Sequence, residues 1–199
     1  MLIDIVILPP KNIRKKIGAK MKKEAESLPN YFVVDNIKFI PHLSLWHLRI
    51  SKKKVKDLAR ELEQLVRKQK PIKISTSRFI NLKKYNGCLE FTVKNSQDLT
   101  LLRQKVFEKS YPYKIGMMPK HTSFIGPYTS KKLKEAKKYG RPLAFAPHFT
   151  MIWLKKEKDI AGAVKKMKKI KFSFLAKEIF ICEVNNWWQA KKIIKKISF

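Results

Sequence analysis

Apolar and polar residues alternate along this chain with two periods, which predict strands in some stretches and helices in others. A period of two, or a short apolar run, predicts strands at residues 1–10, 39–46, 72–82, 87–93, 145–152, 172–184 and 187–199. A spacing of three or four residues predicts amphipathic helices at residues 13–28, 55–66, 96–109, 130–139 and 159–169. The chain therefore contains both kinds of element throughout its length.

Two of the predicted strands carry the same short motif. Residues 39–46 and residues 145–152 both contain, in order, a proline, a histidine, an apolar residue, a hydroxyl residue and an apolar residue. Such alternation is typical of a strand with one face on a core and the other face free. Each copy therefore places an imidazole beside a hydroxyl on the free face of a sheet.

The residues of these pairs are His42 with Ser44, and His148 with Thr150. Each motif is followed by the same predicted series of helix, strand, turn and strand. A repeated series of this kind predicts two related lobes. We expect the lobes to form a single domain, residues 1–199, with the two histidine strands facing each other across a groove.

A loop-rich segment, residues 111–143, separates the two halves of the repeat. Prolines and glycines interrupt it, and only its helix at 130–139, followed by Gly140, shows regular periodicity. We interpret the segment as an insertion before the second motif. A long insertion in a compact domain serves either as a binding loop or as a surface elaboration, and the sequence leaves both open.

The charge of the chain indicates what it binds. The 199 residues include 46 lysines and arginines against 15 acidic residues, a formal net charge of +31, and the lysines occur in every predicted helix. A basic folded body favours polyanions such as RNA or DNA. Solvated, lysine-rich helix faces would give the same composition.

The cysteines and the apolar runs indicate the cellular location that we expect for the protein. The two cysteines, Cys88 and Cys182, form neither a disulfide framework nor a metal-ligand pattern. No run reaches membrane-spanning length, and the apolar amino terminus lacks a basic leader and contains Asp4. We therefore expect a cytoplasmic protein without membrane association, and a monomer.

Two histidines facing one groove can act as a matched acid and base. A neutral imidazole accepts a proton from water or a sugar hydroxyl, while an imidazolium donates one to the leaving oxygen. Neighbouring hydroxyls can donate hydrogen bonds to phosphoryl oxygens as negative charge develops. The sequence shows no acidic cluster suited to a metal, and this chemistry needs neither a metal nor another cofactor.

The paired His-x-Ser and His-x-Thr motifs resemble those of the two-histidine (2H) phosphoesterase superfamily. The resemblance implies an α+β fold that is bilobal, with two pseudo-symmetric antiparallel sheets facing a central groove and helices on the outside. It also implies that His42 and His148 share acid–base catalysis while Ser44 and Thr150 hold the phosphate.

Members of this superfamily include 2′-5′ RNA ligases, 2′,3′-cyclic phosphodiesterases and a 3′ exonuclease. We therefore expect a metal-independent enzyme that acts on RNA or nucleotide ends, and hydrolysis of 2′,3′-cyclic phosphate is the leading reaction. Ligation or cleavage of 2′-5′ linkages and 3′ trimming remain alternatives, as does a non-catalytic basic RNA-binding protein.

Several other residues are candidates for substrate binding. Trp46 shares the predicted face of His42 and could stack on a base, and Tyr113 offers a second aromatic ring. His121 belongs to a third His-x-Ser, in the loop-rich insertion, and is predicted to be a substrate-loop residue. His47 falls on the predicted face opposite His42 and is interpreted as structural. Further aromatic candidates, for which packing is the competing interpretation, are Tyr128, Trp187 and Trp188.

Overall fold

Strands from both ends of the chain form the first of two antiparallel sheets. The computed structural model describes residues 1–81, 87–119, 128–167 and 170–199. The first sheet consists of β1 (Leu2–Ile7), β3 (Leu43–Arg49), β8 (Glu178–Val184) and β9 (Ala190–Ser198). Its strand order is β3-β1-β8-β9, so the buried amino-terminal strand lies at its centre.

The second sheet is built from the middle of the chain. Its strands are β2 (Asn30–Val33), β4 (Ile72–Asn81), β5 (Cys88–Val93), β6 (His148–Leu154) and β7 (Ser173–Ala176). Their order is β2-β6-β5-β4-β7, and all neighbouring strands are antiparallel. The two histidine motifs therefore lie in different sheets, at the start of β3 and of β6.

The described residues form five helices. They are α1 (Lys11–Ala25), α2 (Val55–Val66), α3 (Gln97–Ser110), α4 (Ser130–Tyr139) and α5 (Ile160–Met167). Helices α2 and α3 pack on the first sheet, and α1 and α5 pack on the second. The stripe predicted for α2 is buried as expected, since its apolar residues recur every three or four positions. The predicted α+β arrangement of two antiparallel sheets with outer helices is confirmed.

The predicted strand at residues 172–184 is wrong in one respect, because the structure divides it. The chain leaves the second sheet after Ala176, and Lys177 separates β7 from β8 in the first sheet. The last strand also begins later than residue 187. The Asn185 side chain accepts hydrogen bonds from the backbone amides of Trp187 and Gln189, which holds the connection to β9 as a turn.

The two halves of the repeat exchange their hairpins. Strands β4 and β5 follow the first histidine strand in sequence but join the sheet of the second. Strands β8 and β9 follow the second histidine strand but join the sheet of the first. The two sheets are therefore tied together by the chain itself, and Cα atoms of β3 and β6 come within 8 Å of one another.

The segment between the halves contains the predicted helix. A short 3-10 turn, Tyr111–Tyr113, follows α3, and α4 ends at Gly140, whose φ of 92° suits a glycine. Residues 120–127 lie outside the described part of the chain. Within the described part, no helix is long and apolar enough to cross a membrane.

Candidate active site

Strand β3 contains one extra residue immediately after the Ser44 hydroxyl. Ser44 lies opposite Val6 of β1, but Trp46 already lies opposite Ile5, so Leu45 has no partner in the ladder. A bulge of this kind reverses the face on which every later side chain of the strand lies.

Strand β6 has a bulge at the equivalent place. Thr150 lies opposite Glu90 of β5, and Ile152 lies opposite Leu89, so Met151 is the extra residue. Both motifs therefore have the same local geometry, in which a histidine and a hydroxyl precede a bulge. Bulges are common beside active sites because they redirect neighbouring side chains.

The bulge in β3 corrects two predictions. Trp46 does not share the face of His42: it is fully buried, and its ring packs against Phe107 with centroids 4.6 Å apart, so it cannot stack on a substrate base. His47 does not lie opposite His42 either. It lies on the same side and lines the same cavity as His42 and Ser44.

Side chains from both sheets line a central cavity of about 230 Å³. His42 and Ser44 come from the first sheet, and His148 and Thr150 from the second. The structure thus brings the four residues of the repeated motif into one cavity. We use the term central cavity for this space.

His42 is held with a defined ring orientation at the wall of this cavity. Its Nδ1 lies 2.7 Å from the carbonyl oxygen of Ile40, and since a carbonyl can only accept, Nδ1 carries a proton. In the neutral ring, Nε2 is therefore the basic nitrogen. Burial lowers the pKa of His42 to about 4, and the positive charge of a protonated His148 adds to this effect. The imidazole is neutral at pH 7.

His148 repeats this arrangement in the other sheet. Its Nδ1 donates to the carbonyl oxygen of Ala146 at 2.6 Å, which fixes the same tautomer. Its side chain is 36% exposed, in contrast to 4% for His42, and its Nε2 lies 3.5 Å from the Glu90 carboxylate. Solvent and a nearby carboxylate both stabilise an imidazolium, so the two histidines occupy unlike environments.

A buried carboxylate, Asp4 of β1, lies behind the first pair. The Ser44 hydroxyl donates to Asp4 Oδ2 at 2.6 Å, and His42 Nε2 lies 3.8 Å from the same oxygen. Burial raises the pKa of Asp4 to about 7, although the hydrogen bond from Ser44 and the charge of Arg141 act in the opposite direction.

His47 lies between this carboxylate and a guanidinium. Arg141 donates to His47 Nδ1 at 2.6 Å, and because an arginine has no acceptor, Nδ1 must carry the lone pair. The proton of the neutral ring is then on Nε2, which lies 3.1 Å from Asp4 Oδ2. Burial and the charge of Arg141 hold the pKa of His47 well below its usual value.

Sequence reasoning missed the two buried acids. Asp4 and Glu90 lie on β1 and β5, the strands beside the two histidine strands, and each is buried next to a histidine. A single carboxyl residue inside an otherwise apolar strand was the available signal. Arg103 and Arg141 also line the central cavity, but no local pattern in the sequence points to them.

The remaining candidate binding residues lie in different places. Trp187 and Trp188, in the turn before β9, line the central cavity. Trp188 has a φ of 59°, which is rare for a bulky residue. Tyr113 lines a separate groove beside α3 and not the central cavity, and its predicted role in substrate binding stays a prediction. His121 lies outside the described residues, and its predicted role stays a prediction.

The described residues contain no cluster of three or more histidine, cysteine or acidic side chains placed to hold a metal ion. Cys88 lines the cavity, but burial raises the pKa of its thiol, so it is a thiol rather than a nucleophilic thiolate at pH 7.

Comparison with known proteins identifies the fold. No protein-family model matches the sequence, and no curated protein matches it. Among solved structures, TT0787 of Thermus thermophilus superposes with a TM-score of 0.63 at 11% identity, covering 100% of this chain and 97% of the other. The chain has the 2H phosphoesterase fold.

Two further structures support this 2H fold. LigT of E. coli, in complex with 3′-AMP, has a TM-score of 0.60 at 13% identity and covers 99% of this chain and 97% of its own. Usb1 of Kluyveromyces marxianus has a TM-score of 0.52 at 10% identity, with 100% and 98% coverage. The resemblance drawn from two short motifs therefore holds for the architecture of the whole chain.

Proposed function

We propose that this 2H-fold protein is a phosphodiesterase that hydrolyses 2′,3′-cyclic phosphate at RNA or nucleotide ends. The observation that carries the proposal is the matched pair of histidines. Both have Nδ1 bonded to the carbonyl oxygen of the residue two positions earlier, and both line one cavity beside a hydroxyl residue. Two imidazoles with fixed tautomers are suited to paired proton transfer.

The unlike surroundings of the two rings support one assignment of their roles. His42, neutral because it is buried, acts as the general base: its Nε2 takes a proton from the attacking water as the water oxygen bonds to phosphorus. His148, beside Glu90, acts as the general acid: its Nε2 gives a proton to the ribose oxygen as the phosphorus–oxygen bond to that oxygen breaks. The products are a phosphate monoester and a free ribose hydroxyl.

The hydroxyl residues bind the phosphate in this mechanism. Thr150 donates from the second sheet as charge develops on the phosphoryl oxygens. The single hydroxyl proton of Ser44 is committed to Asp4 in the unliganded protein. Ser44 therefore donates to phosphate only when Asp4 is protonated. The hydrogen bond between the two side chains is then reversed, so that Asp4 donates to Ser44. Because the pKa of Asp4 is raised to about 7, this protonation occurs near neutral pH.

The proposal is tested with an oligonucleotide that ends in a 2′,3′-cyclic phosphate, incubated with the protein in EDTA. We expect turnover to a phosphate monoester end, and analysis of the product ends identifies which ribose oxygen leaves. His42→Ala and His148→Ala should each lower turnover by ~10²–10⁴-fold. The double variant should lower turnover by less than the product of the two single effects, because the residues act together.

His121→Ala is the matched control, since it removes a histidine from a similar His-x-Ser sequence. It should have a mild effect. If His121 is essential while His148 is dispensable, the assignment of the second motif is wrong. Activity that disappears in EDTA and returns with a divalent ion contradicts the metal-independent mechanism, and if no histidine matters on any RNA or nucleotide ester, RNA binding without catalysis replaces it.

A further inference from the structure

Arg103 of α3 is a buried cation in the wall of the central cavity. Only 7% of the residue is exposed. Its NH2 group donates to the carbonyl oxygen of Leu143 at 2.6 Å, whereas its Nε has no hydrogen-bond acceptor among the described residues. None of the described carboxylates lies within ion-pair distance of it. A guanidinium that is buried without a carboxylate is costly in a folded protein.

A second guanidinium shares its environment. The Cζ atoms of Arg103 and Arg141 lie 4.9 Å and 5.4 Å from the ring centroid of Trp46. The two charges are close enough for Arg141 to lower the pKa of Arg103, which burial already lowers, to about 10. Arg103 still carries its charge at pH 7, so this side of the cavity holds two cations.

Both carboxylates beside the histidines have other neighbours. Asp4 Oδ2 accepts from Ser44, and Glu90, which lines the cavity, lies 3.5 Å from His148 Nε2. The positive charge of Arg103 is therefore available to bind an anionic ligand. Arginine presents a planar fork of donors that matches the oxygens of a phosphate group.

We propose that Arg103 and Arg141 form a second phosphate subsite in the central cavity, which binds a phosphate other than the one attacked between the histidines. The proposal rests on the function proposed above and specifies the class of substrate more closely. The preferred ligands are nucleotides with a second phosphate, such as an oligonucleotide end, rather than a lone nucleoside cyclic phosphate. Trp46 serves this subsite from the core, by supporting both guanidinium groups.

The test compares the binding of two nucleotides by calorimetry. One is a nucleoside 3′-monophosphate and the other is the matching nucleoside 3′,5′-bisphosphate. The wild-type protein should bind the bisphosphate about tenfold or more tightly, since each charge-assisted pair is worth about one such factor. Arg103→Met keeps an unbranched apolar stem but removes the guanidinium and its charge, and should reduce this preference about tenfold.

Two further variants keep the result interpretable. Arg67→Met removes one positive charge from an exposed residue at the end of α2 and should leave the preference intact. Arg103→Lys retains the cation without the fork, and should keep only part of the preference even if Arg103→Met fails to fold. The proposal is overturned if Arg67→Met shows the same loss, if Arg103→Met leaves the preference unchanged, or if the wild-type protein shows no preference. Should Arg103→Met not fold, an unchanged preference in Arg103→Lys contradicts the role of the fork.

Because this measurement is an equilibrium, it does not depend on catalysis. If the wild-type protein prefers the bisphosphate but hydrolyses no cyclic phosphate, the subsite stands and the proposed reaction fails. If it hydrolyses cyclic phosphate without preferring the bisphosphate, the reaction stands and the subsite fails. With an active enzyme, Arg103→Met should also raise KM for a cyclic-ended dinucleotide more than for a nucleoside cyclic phosphate.

Discussion

At the scale of single residues, the site depends on two imidazoles with the same hydrogen bond and different surroundings. Ile40 and Ala146 accept from the Nδ1 atoms of His42 and His148, so both tautomers are fixed by the backbone. Burial distinguishes the rings, since His42 is enclosed and His148 is half-exposed. The proposed reaction uses this difference to give the two copies of the motif opposite tasks.

This difference predicts the acidic limb of the pH–rate profile. His42 must be neutral to act as a base, and its lowered pKa of about 4 extends its neutral range towards acid. We expect kcat/KM on a cyclic-ended oligonucleotide to survive from pH 7 to about pH 5 and to fall about tenfold per unit below the His42 pKa.

The profile should be repeated with Asp4→Asn, because the pKa of Asp4 is raised to about 7 and its titration falls in the same range. The limb near pH 4 should persist in this variant. Circular dichroism at each pH establishes that the protein is folded. A limb near 6.5 in both proteins would mean that the base is not the buried His42.

The histidine–hydroxyl pairs could be predicted because alternation holds over the three residues from each histidine to its hydroxyl. It fails one residue later, at Leu45 and Met151, which have no sequence feature that distinguishes a bulge residue from an ordinary strand residue. For that reason the alternation predicts the wrong faces for Trp46 and His47. Arg103 could not be found either, since only tertiary packing brings α3 to the cavity.

At the scale of elements, the helices could be predicted more fully than the strand connections. The stripe of α2 and the glycine after α4 mark their elements locally. The break at Lys177 is not marked by a glycine or a proline. It arises because β7, before the break, pairs in the second sheet, whereas β8, after it, pairs in the first. The pairing of β6 also depends on contacts that are distant in sequence, and one of these involves Gly87.

Gly87 supports a prediction about the stability of the second sheet. It has a φ of 32°, and a Cβ atom there would lie 2.1 Å from the backbone oxygen of Leu154. The Leu154 amide also donates to the Gly87 carbonyl oxygen. Gly87→Ala should therefore lower the free energy of unfolding by about 2 kcal/mol or more, as measured by denaturant titration.

Gly162 in α5 is the matched control, because an added Cβ there meets nothing within 4 Å. Gly162→Ala should raise the free energy of unfolding by about 0.5–1 kcal/mol, since alanine favours the helix. Equal effects of the two substitutions would show that the close approach at Gly87 has no energetic importance.

At the scale of the whole molecule, the net charge of +31 surrounds a cavity that also contains arginines. Phosphate contacts release counterions, so affinity for single-stranded RNA should fall steeply with salt. With three phosphate contacts, raising NaCl from about 50 to about 200 mM should weaken binding roughly twentyfold, as measured by fluorescence anisotropy. An uncharged nucleoside is the control. Equal salt dependence for both ligands would mean that phosphate contacts do not determine the affinity for RNA.

The exchange of hairpins between the sheets has a consequence for the protein during its synthesis. Strand β1 leaves the ribosome before the other strands of its sheet, yet its partner β8 begins only at Glu178. Until then one edge of β1 has no strand to pair with, and an open apolar edge invites aggregation. We expect ribosome-stalled chains ending before residue 178 to be digested by protease, whereas chains with the last hairpin extruded are protected. Completion of the first sheet therefore waits for the translation of β8 and β9.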